Sequence, residues 1–130
     1  LDEIAAQADV VTLHCSLNEN STGMINREFL SRMKPSAFLL NTSRGPLIDE
    51  ASLAEALNAG QIAGAAVDVA SVEPITNDNP LLAADNCLIT PHMAWSSLAA
   101  RRRMMQVTAD NIRNFLAGTP SNIVNRLNLE

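Results

Sequence analysis

The strongest constraint on this chain is a series of four short segments that are apolar almost throughout: ADVVTLHC, AFLLN, GAAVDV and NCLIT. A strand with one wet face alternates apolar and polar residues, whereas one that does not alternate belongs in a parallel sheet covered on both faces. Helical spacing fills the intervals. Asn26 can cap a helix through Phe29, Leu30 and Met33, with Glu28 in its first turn, and Lys34-Pro35 ends it. Asp49 opens the clearest helix, with Leu53, Ala56 and Leu57 on one apolar face and Gly60 as its stop. Leu1 to Ala8 reads as the last turns of a helix, and Asn79 to Ala84 as one short turn. Ser96 or Ser97 starts a long helix to about Ala117, whose inner face is expected to carry Met105, Thr108, Ile112 and Phe115 or Leu116.

Strands alternating with helices predict an α/β fold: a partial Rossmann-like, doubly wound parallel sheet in three α/β/α layers. With 130 residues the chain is near the lower limit for such a sheet. Its 47% hydrophobic and 18% charged residues suit tightly packed helix-on-sheet layers. The net charge of -5 argues against general affinity for nucleic acid or anionic membranes. Arg101, Arg102 and Arg103 point in different directions on a helix and make no phosphate-binding stripe. Cys15 and Cys87 lack a metal-ligand spacing and are expected to be buried thiols in a reducing cytoplasm. No apolar run approaches the roughly 18 residues of a membrane span.

In such a sheet, functional groups lie beyond the carboxyl ends of the strands. Arg44, Asp68, Glu73 and His92 all follow such ends. A guanidinium can grip a carboxylate through two parallel hydrogen bonds, although Arg44 can equally tie down its own loop. Imidazole exchanges protons near neutral pH, and Glu73 beside His92 would orient the ring and stabilise its charged form. A structural histidine and a solvated loop acid are the plainer alternatives. Asp68 ends a run of small apolar residues, where a charge is costly unless paired or facing a cleft, and it can also serve as a loop cap. Zinc chemistry fits poorly, because His14 and His92 are the only histidines and form no HExxH pattern. A serine hydrolase fits poorly too, for lack of a GxSxG elbow.

The segments ADVVTLHCSLNENSTGMIN, LLNTSRGPLIDEASLAEAL, GAAVDVASVEP, DNPLL and NCLITPHMAWSS, in this order, resemble the D-isomer-specific 2-hydroxyacid dehydrogenase family. Trp95 after His92 points to its glycerate dehydrogenase or hydroxypyruvate reductase branch. The resemblance implies interconversion of a small D-2-hydroxy acid and its 2-keto acid with NAD or NADP, in a cytoplasmic homodimer. It implies that Arg44 binds the substrate carboxylate, that His92 donates the proton during reduction, and that Glu73 is its paired carboxylate. Asp68 would meet the nicotinamide, with His14, Cys15, Ser16, Thr42, Ser43, Arg44, His92 and Ala94 along the cofactor path. Ser16 replaces the proline common after this strand, which leaves that loop's contacts open.

On this resemblance, residues 1–117 form a partial NAD(P)-binding domain that includes the long helix, and residues 118–130 form a tail. The family's GxGxxG turn is not in this sequence, so the chain reads as a carboxyl-terminal portion with doubtful activity by itself. The rival reading is a non-catalytic oligomerisation or regulatory module derived from a dehydrogenase.

Overall fold

The computed structural model describes residues 1–124. In chain order they form α1 (Asp2–Gln7), β1 (Val10–Leu13), α2 (Arg27–Arg32), β2 (Phe38–Asn41), a 3-10 turn (Gly45–Leu47), α3 (Glu50–Asn58), β3 (Gly64–Val67), a second 3-10 turn (Pro80–Ala83), β4 (Cys87–Ile89) and α4 (Leu98–Leu116). The expected alternation is present, and the strands form one parallel sheet in the order β1-β2-β3-β4. This is a partial Rossmann-like α/β fold. The chain divides into two compact units, Leu1–Ala94 and Trp95–Glu130.

Helix ends follow local chemistry. The Asn26 side chain accepts from the Phe29 amide, and Asp49 accepts from Ser52, each satisfying an otherwise unpaired helix amide. Gly60 follows α3 at φ 63, a left-handed conformation that costs glycine little. Ser97 caps α4 through the Ala100 amide.

In the first unit α2 and α3 bury Phe29, Leu30, Leu53, Ala56 and Leu57 in one cluster with Val11, Leu13, Leu39, Ala65 and Val67 of the sheet. The alternate strand residues face away from that cluster: Val10, Phe38 and Leu88 are 52%, 48% and 64% exposed. Covering on both faces was expected from the apolar strands, and within this unit it is met on one. The open face is itself apolar, which is why the strands do not alternate in sequence. Gly64 belongs to that face, and a side chain there would crowd the Phe38 ring.

Two further expectations are corrected. No residue of α4 is buried, and the foreseen inner face is open, with Met105 67%, Ile112 58% and Phe115 72% exposed. Periodicity identified the helix correctly but could not supply a surface for it; α4 is the only helix or strand described in the second unit. Cys15 is exposed and Cys87 is half-buried, because the chain has already left the sheet at Cys15 and Cys87 opens the edge strand β4. Burial pushes the Cys87 thiol up from its ordinary value. Among the described residues no helix is long and apolar enough to cross a membrane. Of the tail foreseen at 118–130, residues 125–130 lie outside the described residues.

Asp49→Ala removes the α3 cap and is expected to cost about 1 kcal/mol, read as a lower urea midpoint with an unchanged slope. An unchanged midpoint would show that the cap contributes nothing to stability.

Candidate active site

The register aligns the carboxyl ends of the strands. Leu13 pairs with Asn41, Asn41 with Val67, and Val67 with Ile89. The next residue of each strand is therefore His14, Thr42, Asp68 or Thr90, a polar row along one edge. Sheet-like hydrogen bonds continue into it, from the Asp68 amide to the Asn41 carbonyl at 2.8 Å and from the Thr90 amide to the Val67 carbonyl at 2.9 Å.

Asp68 is 4% exposed, yet its carboxylate is fully engaged. Thr90 Oγ1 donates to Oδ1 at 2.5 Å, the Met93 amide to Oδ1 at 2.9 Å, and the Ala94 amide to Oδ2 at 2.8 Å. The His92 amide donates to the Asp68 carbonyl at 2.8 Å. Burial, the largest single influence, pushes the Asp68 carboxyl up. The hydrogen bonds from Thr90, Ala94 and Met93, with the nearby His92, outweigh it and leave the carboxyl below its ordinary 3.8. The same bonds curl residues 90–94 back over the end of β3. His92 lies at the turn with φ 52, a conformation uncommon for a residue with a side chain.

That turn brings His92 Nδ1 to 2.7 Å from Glu73 Oε2. An ionised carboxylate only accepts, so Nδ1 carries the proton, and Nε2 is the other ring nitrogen. Glu73 Oε1 accepts from the Ala70 amide at 3.0 Å. The hydrogen bond with His92, then that from Ala70, hold the Glu73 carboxyl below its ordinary 4.5 against the opposing effect of burial; the charges of His92 and Arg44 act in the same direction. The pair is partly solvated, with side chains 44% and 38% exposed.

Arg44 is exposed at the head of the first 3-10 turn, and one guanidinium N–H donates to the Ser43 carbonyl at 2.7 Å. Its loop is built on Asn41, which is fully buried: the side chain accepts from the Ser43 amide at 3.0 Å and donates to the Arg44 carbonyl at 2.9 Å. Ser43 Oγ reaches the Cys15 carbonyl at 2.8 Å, linking the exits of β1 and β2. His14 Nε2 lies 3.0 Å from Thr12 Oγ1, and the Ser16 carbonyl accepts from Ser21 Oγ at 2.8 Å. Arg44, Glu73, His92 and Asp68 thus gather at one edge, with Thr42, Ser43 and Ala94 beside them. His14, Cys15 and Ser16 lie at the β1 exit.

Two clefts open at this edge. One, of about 660 Å³, is lined by Asp68, Glu73, Ile75, Leu82, Thr90 and His92. The other, of about 350 Å³, is lined by Leu40, Thr42, Asp68, Thr90 and Ala94 among others. Asp68 and Thr90 line both. Sequence reading passed over Thr90, Asn41 and Gly45. The only available signals were a threonine directly before Pro91-His92, an asparagine ending an apolar run, and a glycine after Arg44.

Fold and edge together define a parallel α/β unit with an exposed guanidinium and a histidine–carboxylate pair at the strand exits. A family model described as D-isomer specific 2-hydroxyacid dehydrogenase, NAD binding domain, matches residues 1–94. The chain belongs to this family. It is 48% identical over 126 residues to a hydroxypyruvate reductase of Blautia hydrogenotrophica, covering 97% of this chain and 39% of that protein. Among solved structures, an acyclic imino acid reductase in complex with NADPH and D-Arg superposes with a TM-score of 0.86 at 36% identity, over 95% of this chain and 39% of that one. The NAD-complexed D-isomer specific 2-hydroxyacid dehydrogenase of Lactobacillus delbrueckii ssp. bulgaricus gives 0.84 at 32% identity, over 96% and 42%. The chain therefore spans about two fifths of the length of these relatives.

Two substitutions probe how the edge is held. A Cβ at Gly45 would lie 2.0 Å from the Ala70 carbonyl carbon and 2.4 Å from the Ser71 nitrogen, all backbone. Gly45→Ala must therefore push the Arg44 turn off the loop that carries Glu73, at a cost of about 1–3 kcal/mol or more. A melting temperature equal to that of the parent would refute this packing. Asp68 titrates below its ordinary value when folded. Its stabilisation is fully present above pH 3.8 and is lost as the pH falls through the lower folded value. Asp68→Asn is expected to destabilise the protein at neutral pH and to flatten the acid limb of a stability–pH curve. An acid limb as steep as the parent's would remove Asp68 from that account.

Proposed function

We propose that this chain supplies the acid-binding and proton-transfer part of an NAD(P)-dependent dehydrogenase that interconverts a small D-2-hydroxy acid and its 2-keto acid. The carrying observation is the 2.7 Å contact of His92 Nδ1 with Glu73 at the same edge as Arg44. Family membership and solved relatives in complex with NAD or NADPH support the cofactor class. The donor set fits a nicotinamide nucleotide. The smaller cleft offers the Thr42 and Thr90 hydroxyls, the Asp68 carboxylate and the small Ala94 at the strand exits, where α/β sheets take such ligands.

When bound, the nicotinamide supplies or accepts a hydride. Arg44 grips the substrate carboxylate in fork geometry and fixes the adjacent carbonyl carbon. His92, charged and steadied by Glu73 through Nδ1, holds at Nε2 the proton that neutralises the oxygen as the carbonyl is reduced. Asp68 holds the turn that presents the ring and, from the wall of the smaller cleft, is the proposed neighbour of the nicotinamide. His14, Cys15, Ser16, Ser43 and Ala94 line the remaining path. Hydroxypyruvate, glyoxylate and glycerate are the proposed acids, supported by the hydroxypyruvate reductase relative and by Trp95 after His92. A second copy of the chain is the proposed protein partner, supported by the exposed Ile112, Phe115 and Leu116 of α4. The two unpaired cysteines support a reducing, cytoplasmic setting.

In the enzyme carrying this chain, His92→Gln is expected to lower kcat for hydroxypyruvate reduction by about 10²–10⁴. Arg44→Lys chiefly raises KM, because the bidentate grip is lost. A His92→Gln enzyme with parental rates across the pH range would remove the histidine from its role.

A further inference from the structure

Glu73 lies on the segment 68–79, which has no helix or strand of its own. Its contact with Ala70 is local and does not fix the segment to the body of the domain. Glu50, the first residue of α3, provides a fixed point. Its Oε1 accepts from the Ser71 amide at 2.7 Å, and its Oε2 accepts from the Asn79 side-chain amide at 2.9 Å. Asn79 is 9% exposed, and its own oxygen accepts from the amide of buried Leu81 at 3.0 Å. One carboxylate thus seizes the segment two residues before Glu73 and six after it. Both partners are donors, so both Glu50 oxygens must accept. A glutamine amide would keep one acceptor and turn an N–H₂ toward the other donor.

The opposite side of the segment is closed by backbone. Ala70 and Ser71 press against Gly45 so closely that no side chain fits between them. The chain is therefore held between the Arg44 turn and the start of α3. Glu50 has no contact of its own with His92, and it acts through the loop.

We infer that Glu50 is a positioning residue, bridging the Ser71 amide and the Asn79 side chain so that Glu73 meets His92. This rests on the pairing of Glu73 with His92 that the proposed function uses, and it assigns Glu50 a part in the site that its place on a helix does not suggest. The effect reaches the reaction only through Glu73.

The test is NMR of the protein, helped by there being two histidines in the chain. The Nδ1 proton held by Glu73 gives a downfield resonance, identified by its loss in His92→Gln, and the Glu73 carboxyl carbon reports that group's titration. Glu50→Ala is expected to broaden or lose the downfield proton, to speed exchange of the Ser71 amide, and to move the Glu73 midpoint up toward its ordinary value. Asp49→Ala weakens the same helix end without touching Ser71 or Asn79, and it leaves all three signals in place. Glu50→Gln, which folds with one acceptor retained, falls between parent and Glu50→Ala. Parental signals in Glu50→Ala, or the same loss in Asp49→Ala, would overturn the assignment. Should Glu50→Ala not fold, parental signals in Glu50→Gln would overturn it equally. These readouts do not depend on turnover, so an enzyme that tolerates His92→Gln would sink the catalytic role while leaving the tether standing.

Discussion

A carboxylate buried at the end of β3 organises this edge of the protein. Left without partners at 4% exposure, the Asp68 side chain would be strongly unfavourable or would take up a proton. The chain satisfies it with one hydroxyl and two amides, all drawn from residues 90–94. To deliver them, the segment after β4 cannot continue extended; it curls, and His92 takes a left-handed backbone conformation at the bend. The imidazole therefore meets Glu73 as a consequence of satisfying a different acid. Each hydrogen bond to Asp68 contributes only modestly in net terms, but removing their common acceptor takes away three of them at once.

The level strand ends give that interaction its reach. Because Leu13, Asn41, Val67 and Ile89 are in register, the following residues emerge side by side, and loops from different strands can bond one another. Ser43 bonds the Cys15 carbonyl, Glu73 bonds His92, and Gly45 lies against Ala70. Asp68 and Thr90 form a wall common to both clefts.

Much of this was legible in the sequence because it is local chemistry. Caps at Asn26, Asp49 and Ser97, the stop at Gly60, and the four apolar strands each depend on a few neighbouring residues, and the structure has them where the sequence implies. The gathering of charged side chains at the strand exits was legible for a similar reason: charge directly after an apolar run has few explanations. Residues that hold the edge together were not. Gly45 resembles any turn glycine until Ala70 is set against it, and Glu50 resembles any first-turn acid until Ser71 and Asn79 arrive from 21 and 29 positions away. The exposed face of α4 shows the converse limit, since periodicity specifies a helix but not what it packs on.

A scaffold shared by a hydroxypyruvate reductase and an imino acid reductase fits the division of labour proposed for this edge. On the proposed function, the exposed Arg44, Glu73 and His92 would act on groups common to every 2-keto or 2-imino acid, a carboxylate and an adjacent polar double bond. Nothing in a fork-shaped cation or a proton-bearing imidazole distinguishes one acid side chain from another. On that same proposal the spacing among the three groups has to remain fixed, because hydride and proton would have to reach adjacent atoms of one bound molecule. That spacing is held by Asp68, Asn41, Gly45 and, on the inference above, Glu50, through backbone contacts and carboxylate-held loops. Discrimination among acids then falls to whatever surface faces this edge across the substrate.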